Sequence, residues 1–173
     1  MGNQNVCIVP GVFDPITNGH LDVIKRAAKL FNKVYVVSFA NSAKKTMFTS
    51  EERFRMLTLA CDEIIKSGEK DKIIIETTNE LLVDYAKSKG AGTVVKGVRN
   101  IIDYEYESDM FRINMKIGDL ETLFFPAKTE YLYISSSFVR EMILYNRDIS
   151  QYVPEKVNEM IILRNYKNRD ENT

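Results

Sequence analysis

Short apolar runs alternate with longer segments of helical periodicity along almost the whole chain. The runs are rich in β-branched or aromatic residues and cover residues 6–9, 34–39, 73–76, 93–96 and 122–125. Runs of this length between helical segments predict β-strands. Because parallel strands need long crossover connections, which are usually helices, the alternation predicts an α/β fold with a five-stranded parallel sheet covered on both faces.

The segments between the strands carry helix signals. A capping box formed by Thr49 and Glu52 begins the second helix, and Gly90 ends a short third helix over residues 81–89. Further helices are predicted over residues 101–117, from 136 to about 145, and after Pro154. The apolar stripes expected on the first, second and fourth helices are Leu21, Ile24, Ala28 and Phe31; Phe54, Leu57, Ala60, Cys61 and Ile64; and Tyr106, Met110, Ile113 and Ile117.

Length and composition place the chain among single globular domains. Its 173 residues suffice for a substantial core, and 45% hydrophobic with 28% charged residues separates it from disordered chains. The polar segment 165–173 is predicted to fray, which leaves one domain over residues 1–164. Cys7 and Cys61 lack metal-type spacing, so both are expected to pack as small buried hydrophobes.

Charge and hydropathy exclude several classes of partner. Lys and Arg number 24, as do Asp and Glu, so no overall field points to nucleic acid or to an anionic membrane. The first residues carry no secretory signal, Val6 breaks the myristoylation pattern, and no apolar run approaches the roughly 20 residues that span a bilayer. We therefore expect a cytoplasmic protein with no nucleic-acid or membrane partner, whose anion sites are local.

The segment from Pro10 to His20 is the strongest candidate for a functional site. It is a glycine-punctuated loop between the first strand and the first helix, and it holds the only histidine of the sequence. Such a loop presents backbone N–H groups and the positive end of a helix dipole, which suits it to holding phosphate. In a parallel sheet, ligands bind beyond the carboxyl ends of the strands, where the strand order reverses.

Other candidate segments are expected at the same edge of the sheet. They contain Lys44 and Lys45 after the second strand, Lys96 to Arg99 and the acidic run 103–107 after the fourth strand, and three serines at 135–137 that begin a helix. Taken singly, each has an ordinary interpretation: a helix-start histidine, solvated lysines, surface ion pairs or a helix cap. Their joint placement favours a shared anion site.

The motifs in these segments resemble those of the nucleotidyltransferase superfamily. Gly-x-Phe-Asp-Pro-x-Thr-x-Gly-His at 11–20 and Ile-Ser-Ser-Ser at 134–137, followed by Val-Arg, are typical of it. Lys-Lys-x-Met-Phe at 44–48, Lys-Gly-Val-Arg at 96–99 and Asp-Tyr-Glu-Tyr-Glu at 103–107 resemble the bacterial phosphopantetheine adenylyltransferase family. The likeness extends to about residue 160 and implies a Rossmann-like doubly wound five-stranded parallel sheet, in a single domain with C-terminal helices.

The resemblance implies a reaction in which ATP and 4'-phosphopantetheine give dephospho-coenzyme A and pyrophosphate. Mg²⁺ would be held mainly through the ATP phosphates, with no protein residue as a metal ligand. The resemblance further implies a homohexamer and makes coenzyme A a candidate feedback inhibitor. No strong general base is needed, because a phosphate monoester with a second pKa of about 6 is already largely dianionic at neutral pH.

The resemblance also assigns roles to residues. The implied catalytic residues are His20, which would stabilise the pentacovalent transition state, Lys44 and Arg99. The implied ATP-binding residues are Val12, Phe13, His20, Gly97, Val98, Arg99, Glu107, Tyr131, Leu132, Tyr133, Ile134, Ser135, Ser136 and Ser137. The implied acceptor-binding residues are Val12, Lys44, Leu82 and Lys96. In-line positioning and positive groups around the reacting phosphates are what this chemistry requires.

Two positions depart from the family pattern, and in the family both contact the acceptor phosphate. Val12 stands where Thr or Ser is usual, which removes a hydrogen bond worth about 0.5–1.5 kcal/mol. Lys96 stands where Arg is usual, which keeps the charge but loses the bidentate fork. Together they are expected to weaken acceptor binding by roughly one to two decades and to leave ATP recognition intact.

Two other functions remain open on the sequence alone. A sister nucleotidyltransferase would use another acceptor, such as nicotinate mononucleotide, or glycerol 3-phosphate with CTP. Those enzymes usually carry a second histidine two residues before Gly19 or close to it, and Asn18 departs from that pattern. A non-catalytic nucleotide-binding protein on the same fold is disfavoured because His20 and Arg99 are both present.

Overall fold

Five parallel strands form one sheet in the computed structural model, which describes residues 5–39, 45–65 and 72–170. The strands are β1 (Val6–Gly11), β2 (Lys33–Phe39), β3 (Ile73–Thr78), β4 (Thr93–Val98) and β5 (Glu121–Pro126), in the order β3-β2-β1-β4-β5. The predicted α/β fold and all five predicted strands are confirmed. Four of the strands continue past their predicted carboxyl ends, toward the edge where the candidate loops begin.

Six helices connect and cover the strands within the described residues. They are α1 (Asn18–Leu30), α2 (Ser50–Ile64), α3 (Leu82–Ser88), α4 (Ile101–Gly118), α5 (Ser136–Leu144) and α6 (Glu155–Asp170), with a short 3-10 helix at Thr129–Tyr131. The capping box of α2 is confirmed, because the Thr49 hydroxyl accepts from the Glu52 N–H and the Glu52 carboxylate accepts from the Thr49 N–H. Gly90 follows α3 with a φ of 65°, the left-handed conformation expected at a helix stop. The predicted domain boundary at residue 165 falls inside α6, and the domain division stays a prediction.

A hydrophobic core lies on each face of the sheet, and the two cores differ in size. Cys7, Val9, Val34 and Val36 point into a large core formed with α1, α2, α5 and α6. The alternate residues of β1 and β2 enter a smaller core that α3 closes. Both cysteines are buried as predicted, and burial raises the pKa of each thiol to about 12. Covering on both faces makes this sheet doubly wound.

The predicted apolar face of α2 is wrong at one position. Phe54 is 40% exposed, whereas Met56 and the polar Arg53 are fully buried or nearly so. At 100° per residue, Arg53, Met56, Leu57 and Ala60 form the stripe that faces the sheet, and Phe54 lies at its edge. A buried arginine on that stripe is the feature that periodicity did not anticipate.

The sheet opens at the point where its strand order reverses. β1 pairs with β4 only at Cys7–Thr93 and Ile8–Val94, whereas β1 stays paired with β2 as far as Gly11–Ser38. β4 in turn stays paired with β5 as far as Val98–Pro126. The carboxyl ends of β1 and β4 therefore diverge and leave a cleft between them, which is where ligand sites form in sheets of this kind.

Helix α4 carries an apolar stripe that its own sheet does not cover. Tyr106, Ile113 and Ile117 are 61%, 50% and 52% exposed, and Ile102 on the same side is 72% exposed. The α4 residue that is most fully buried is instead polar, Asn114. Within the described residues, no helix combines the length and the apolar character that crossing a bilayer requires.

Candidate active site

The cleft between β1 and β4 has a volume of about 720 Å³ and gathers most of the predicted site residues. The loops after β1 and β4 and the start of α5 meet there, as the parallel sheet predicts. The predicted site residues that line it are Val12, Phe13, His20, Leu82, Lys96, Gly97, Arg99, Glu107, Tyr131, Ile134, Ser135, Ser136 and Ser137.

Three of the predicted site residues that the structure describes are not brought into this cleft. Val98 is absent from its lining, and Leu132 and Tyr133 are 44% and 64% exposed. The Tyr133 ring packs edge-on against Tyr152, with 6.4 Å between ring centroids. Lys44 lies outside the described residues. The roles implied for all four stay predictions.

Phe13 shapes the loop that follows β1. Its φ of 51° is left-handed, its side chain is only 3% exposed, and its ring folds back beneath Gly11. A Cβ atom at residue 11 would lie 2.8–2.9 Å from three atoms of that ring, so only glycine fits there without displacing Phe13. The same ring meets the His20 ring edge-on, with 5.3 Å between centroids, and thereby supports it from one side.

Thr17 fixes the orientation of His20. Thr17 is the N-cap of α1, and its backbone N–H donates to His20 Nδ1 over 3.1 Å. Thr17 Oγ1 lies 3.0 Å from the same nitrogen and accepts from the backbone N–H of His20 over 3.4 Å. Because Nδ1 is an acceptor, the neutral imidazole carries its proton on Nε2, which is left to donate to a ligand.

The charge state of His20 follows from its surroundings. Burial is the main cause that lowers the pKa of His20 to about 4, and the nearby positive charges of Arg99 and Lys96 act in the same direction. At neutral pH the ring is therefore an uncharged N–H donor in the ligand-free protein.

The two cations on the β4 side are each held by a carboxylate of α4. Arg99 donates through Nε and Nη2 to Asp103 over 2.8 and 3.0 Å, and through Nη1 to the Ile134 carbonyl over 3.1 Å. The Arg99 guanidinium holds the pKa of Asp103 below its usual range, although partial burial opposes this. Lys96 Nζ lies 3.1 Å from Glu107 Oε2. The acidic run therefore aligns both cations toward the cleft.

The serines at the start of α5 offer the cleft both backbone and hydroxyl groups. Ser135 Oγ accepts from the Phe138 N–H over 3.0 Å, and the Ser136 hydroxyl donates to the Pro15 carbonyl over 2.8 Å. The Ser136 proton is therefore committed to an internal bond, whereas Ser135 Oγ acts there as an acceptor and keeps its own proton for a ligand. The first backbone N–H groups of α5 lack helical acceptors, because the first turn of any helix does, and they point an electropositive helix end at the cleft.

Asp14 connects the first loop to the segment before α2. Its carboxylate accepts from the backbone N–H groups of Met47 and Phe48 over 3.0 and 2.9 Å. Arg140 of α5 donates to the Asp14 carbonyl over 2.6 Å and lies 3.5 Å from its carboxylate. The loop after β1, the segment 45–48 and α5 are thereby fixed to one another around the cleft.

Sequence reasoning did not assign several residues that shape the site. The sequence patterns assign no role to Thr17, which orients His20, and give Asp103, which orients Arg99, only the ordinary interpretation of a surface ion pair. Their spacing was a usable signal: Thr17 is three residues before His20 as in a capping box, and Asp103 is four after Arg99. Tyr106 of the 103–107 motif also lines the cleft, as do Ile102 and Phe39, to which no local pattern points.

Comparisons with known proteins identify the family of this chain. The model of the cytidylyltransferase-like family matches residues 8–142. A phosphopantetheine adenylyltransferase of Finegoldia magna is 42% identical over 160 residues, which cover 92% of this chain and 95% of that protein. The chain belongs to the cytidylyltransferase-like family of nucleotidyltransferases, and within it to the phosphopantetheine adenylyltransferases.

Solved structures support the fold independently. The nicotinic acid mononucleotide adenylyltransferase of Plasmodium falciparum, complexed with APC, superposes with a TM-score of 0.66 at 20% identity, covering 94% of this chain and 96% of that one. A putative nicotinate-nucleotide adenylyltransferase of Vibrio parahaemolyticus gives a TM-score of 0.61 at 21% identity, covering 91% and 97%. At this level of identity the likeness establishes the nucleotidyltransferase fold and leaves the acceptor to be decided by the site.

Proposed function

We propose that this chain transfers the adenylyl group of ATP to 4'-phosphopantetheine, giving dephospho-coenzyme A and pyrophosphate. The observation that carries the proposal is the position of a neutral, oriented His20 at the N-terminus of α1, facing the aligned cations Lys96 and Arg99 across one cleft. The 42% identity to a phosphopantetheine adenylyltransferase supports this choice of acceptor.

In the proposed reaction an oxygen of the acceptor phosphate attacks the α-phosphorus of ATP. A new phosphorus–oxygen bond forms as the bond to the β-phosphate oxygen breaks, and pyrophosphate leaves with that electron pair. His20 Nε2 donates a hydrogen bond to an α-phosphate oxygen as negative charge grows on it, and the helix ends of α1 and α5 stabilise the same charge. Arg99 binds the nucleotide, and Lys44 and Lys96 bind the acceptor phosphate.

We propose that Mg²⁺ enters bound to the ATP phosphates, where it would neutralise charge on the leaving pyrophosphate. The donor set of the cleft supports this, because Asp103 and Glu107 each already bind a cation of the chain. Across residues 5–39, 45–65 and 72–170, no three His, Cys, Asp or Glu side chains are grouped as metal ligands. Phosphate and water oxygens would then make up most of the coordination.

We also propose that coenzyme A competes with the substrates, since it contains the same phosphopantetheine arm. Leu82 lines the cleft and is the residue we assign to that arm. Isothermal titration of coenzyme A, with and without saturating 4'-phosphopantetheine, tests this. Competition supports a shared site, whereas simultaneous binding contradicts it.

A cytoplasmic location stays a prediction.

A homohexamer is proposed from the resemblance and is supported by the exposed stripe of α4, since large exposed apolar patches mark interaction surfaces. Ile113→Lys places a charge in the stripe, and Glu105→Gln changes the net charge equally on an exposed position of the same helix. Light scattering should give a smaller particle for Ile113→Lys only. An unchanged mass for both variants would contradict the role of this stripe.

Product analysis decides the function. The protein is incubated with ATP or CTP and with 4'-phosphopantetheine, nicotinate mononucleotide or glycerol 3-phosphate. Dephospho-coenzyme A should form from ATP and 4'-phosphopantetheine, and His20→Ala should lower its rate of formation by about 100- to 1000-fold. ATP binding without any adenylylation of 4'-phosphopantetheine would overturn the proposal, and a product from another pair would identify the sister activity.

A further inference from the structure

Arg53 is a buried cation that has no acidic partner among the residues the structure describes. Its side chain, on the sheet-facing side of α2, is 3% exposed. Nη1 donates to the Val12 carbonyl over 2.7 Å and to Ser38 Oγ over 3.4 Å, and Nη2 donates to Ser50 Oγ over 3.1 Å. The buried Nε has no hydrogen-bond partner. Every acceptor of this guanidinium among the described residues is thus a neutral oxygen.

The nearest carboxylates in the sequence and in the loop are occupied elsewhere. Glu52, the neighbour of Arg53, accepts from the Thr49 N–H and from Arg164 Nε, the latter over 2.6 Å. Asp14 accepts from two backbone N–H groups and pairs with Arg140. The positive charge of Arg53 therefore has no compensating charge bonded to it within the described part of the chain.

The position of Arg53 adds a second unfavourable term. It is the fourth residue of α2, and its Nη2 reaches back to Ser50, the first residue, so the guanidinium lies beside the positive end of that helix. A buried charge without a partner costs folding free energy, and so does a cation at a helix N-terminus. Both features create positive potential at the same place, although each lowers stability. Residues that lower stability in this way are expected at functional sites.

That place lies directly behind the cleft. Val12 lines the cleft, and its carbonyl oxygen makes the shortest hydrogen bond with Arg53, at 2.7 Å. Ser38, the second contact of Nη1, is the residue of β2 that pairs with Gly11. The guanidinium is therefore located behind the carboxyl ends of β1 and β2, and it is separated from the ligand space by the backbone of Val12.

We propose that Arg53 is a positioning residue for the acceptor, whose buried charge attracts the phosphate dianion of 4'-phosphopantetheine through the Val12 backbone. This rests on the proposed function and names what gives the acceptor subsite its preference for a phosphorylated ligand. A buried charge is weakly screened by solvent and salt, so it acts over the thickness of one backbone segment. It offsets in part the hydroxyl that Val12 lacks.

The test compares two ligands that differ only by the phosphate. Affinities for 4'-phosphopantetheine and for pantetheine are measured by calorimetry with the wild-type protein, with Arg53→Gln, and with Arg55→Gln. The Arg53→Gln side chain keeps an amide that can donate to the Val12 carbonyl but has no charge, and Arg55 is an exposed arginine of the same helix. Arg53→Gln should lower the ratio of the two affinities about tenfold, whereas Arg55→Gln and the affinity for ATP should change less than about threefold.

Each result separates the inference from the function on which it rests. If Arg53→Gln weakens both ligands equally, Arg53 is a structural support and the inference is wrong. If ATP affinity falls instead, the charge serves the nucleotide and the inference is also wrong. If the wild-type protein does not bind 4'-phosphopantetheine, the proposed function itself fails.

A second variant covers the case in which Arg53→Gln does not fold. Arg53→Met fills similar space with no polar atom, and it should show the same fall in the ratio of affinities. Arg53→Lys, which keeps a positive charge, should restore the ratio to within about threefold of the wild-type value. A low ratio in Arg53→Lys alongside a normal melting temperature would contradict an electrostatic role.

Discussion

The two sides of the cleft handle charge in opposite ways. On the side of α1, the ligand-facing group is the uncharged His20, oriented by the backbone and hydroxyl of Thr17. On the side of β4 and α4, the groups are full charges, Lys96 and Arg99, each held by a carboxylate. A neutral donor can lie close to a reacting phosphate without binding the ground state tightly, whereas a charge binds any phosphate strongly. The difference predicts that His20 serves the transition state and that the cations serve binding.

The largest effect should come from His20→Ala. Removing one oriented donor to developing oxyanion charge typically costs about 100- to 1000-fold in kcat. We expect this loss in steady-state formation of dephospho-coenzyme A, with the dissociation constant of ATP changed by less than about threefold. A large loss of ATP affinity with little change in kcat would show that His20 serves ATP binding and not the transition state.

Arg99→Met should have the complementary effect. The variant loses a charged donor and leaves Asp103 without its partner in the cleft, so ATP binding should weaken by about 100-fold. Fluorescence or calorimetric titration of ATP measures this directly. Arg112→Met is the matched control, because Arg112 also pairs with an aspartate, Asp109, but on the exposed surface of α4. Equal ATP affinity in Arg99→Met and Arg112→Met would show that the paired cations do not carry nucleotide binding.

The restoring substitutions sharpen the comparison within the acceptor subsite. Val12→Thr with Lys96→Arg should lower the KM for 4'-phosphopantetheine by roughly one to two decades and leave the KM for ATP unchanged. Arginine at residue 96 is also expected to keep the pair with Glu107, whose oxygens lie 3.1–3.2 Å from Lys96 Nζ. If the KM for the acceptor does not move, our account of the two departures from the family pattern is wrong.

Sequence periodicity predicted the fold and the position of the cleft, whereas the side-chain pairs within the site came from the structure. The alternation of apolar runs and helices was enough to predict the sheet and to place the loops after β1 and β4 together, because parallel topology leaves few alternatives. The pairing of Thr17 with His20 and of Asp103 with Arg99 depends on side-chain direction, and periodicity does not report it. Arg53 is the clearest case of a residue whose position periodicity does not predict. In the sequence it belongs to a solvated-looking Glu-Glu-Arg run, yet the turn of α2 buries it.

The smallest predicted effect is a pH dependence of the free energy of unfolding, which comes from His20 on the uncharged side of the cleft. Burial holds the folded-state pKa of His20 at about 4, below its ordinary value of 6.5. Its contribution to stability is therefore fully present above about pH 6.5 and is lost as the pH falls toward 4, because the unfolded chain then binds a proton that the folded chain does not. Between about pH 6.5 and 5, the free energy of unfolding of the wild type should fall by about 1.5 kcal/mol more than that of His20→Gln.

Urea unfolding of both proteins at the two pH values measures that difference. Parallel curves for wild type and His20→Gln would show that His20 is not held neutral. Bound ATP should instead raise the pKa of His20, because phosphate oxygens beside Nε2 favour the imidazolium form. ATP binding at about pH 5 should then take up protons in the wild type, visible as a buffer-dependent binding enthalpy, and this uptake should be reduced in His20→Gln. A neutral donor in the free protein would thereby gain charge as the phosphates arrive, whereas Lys96 and Arg99 carry theirs throughout.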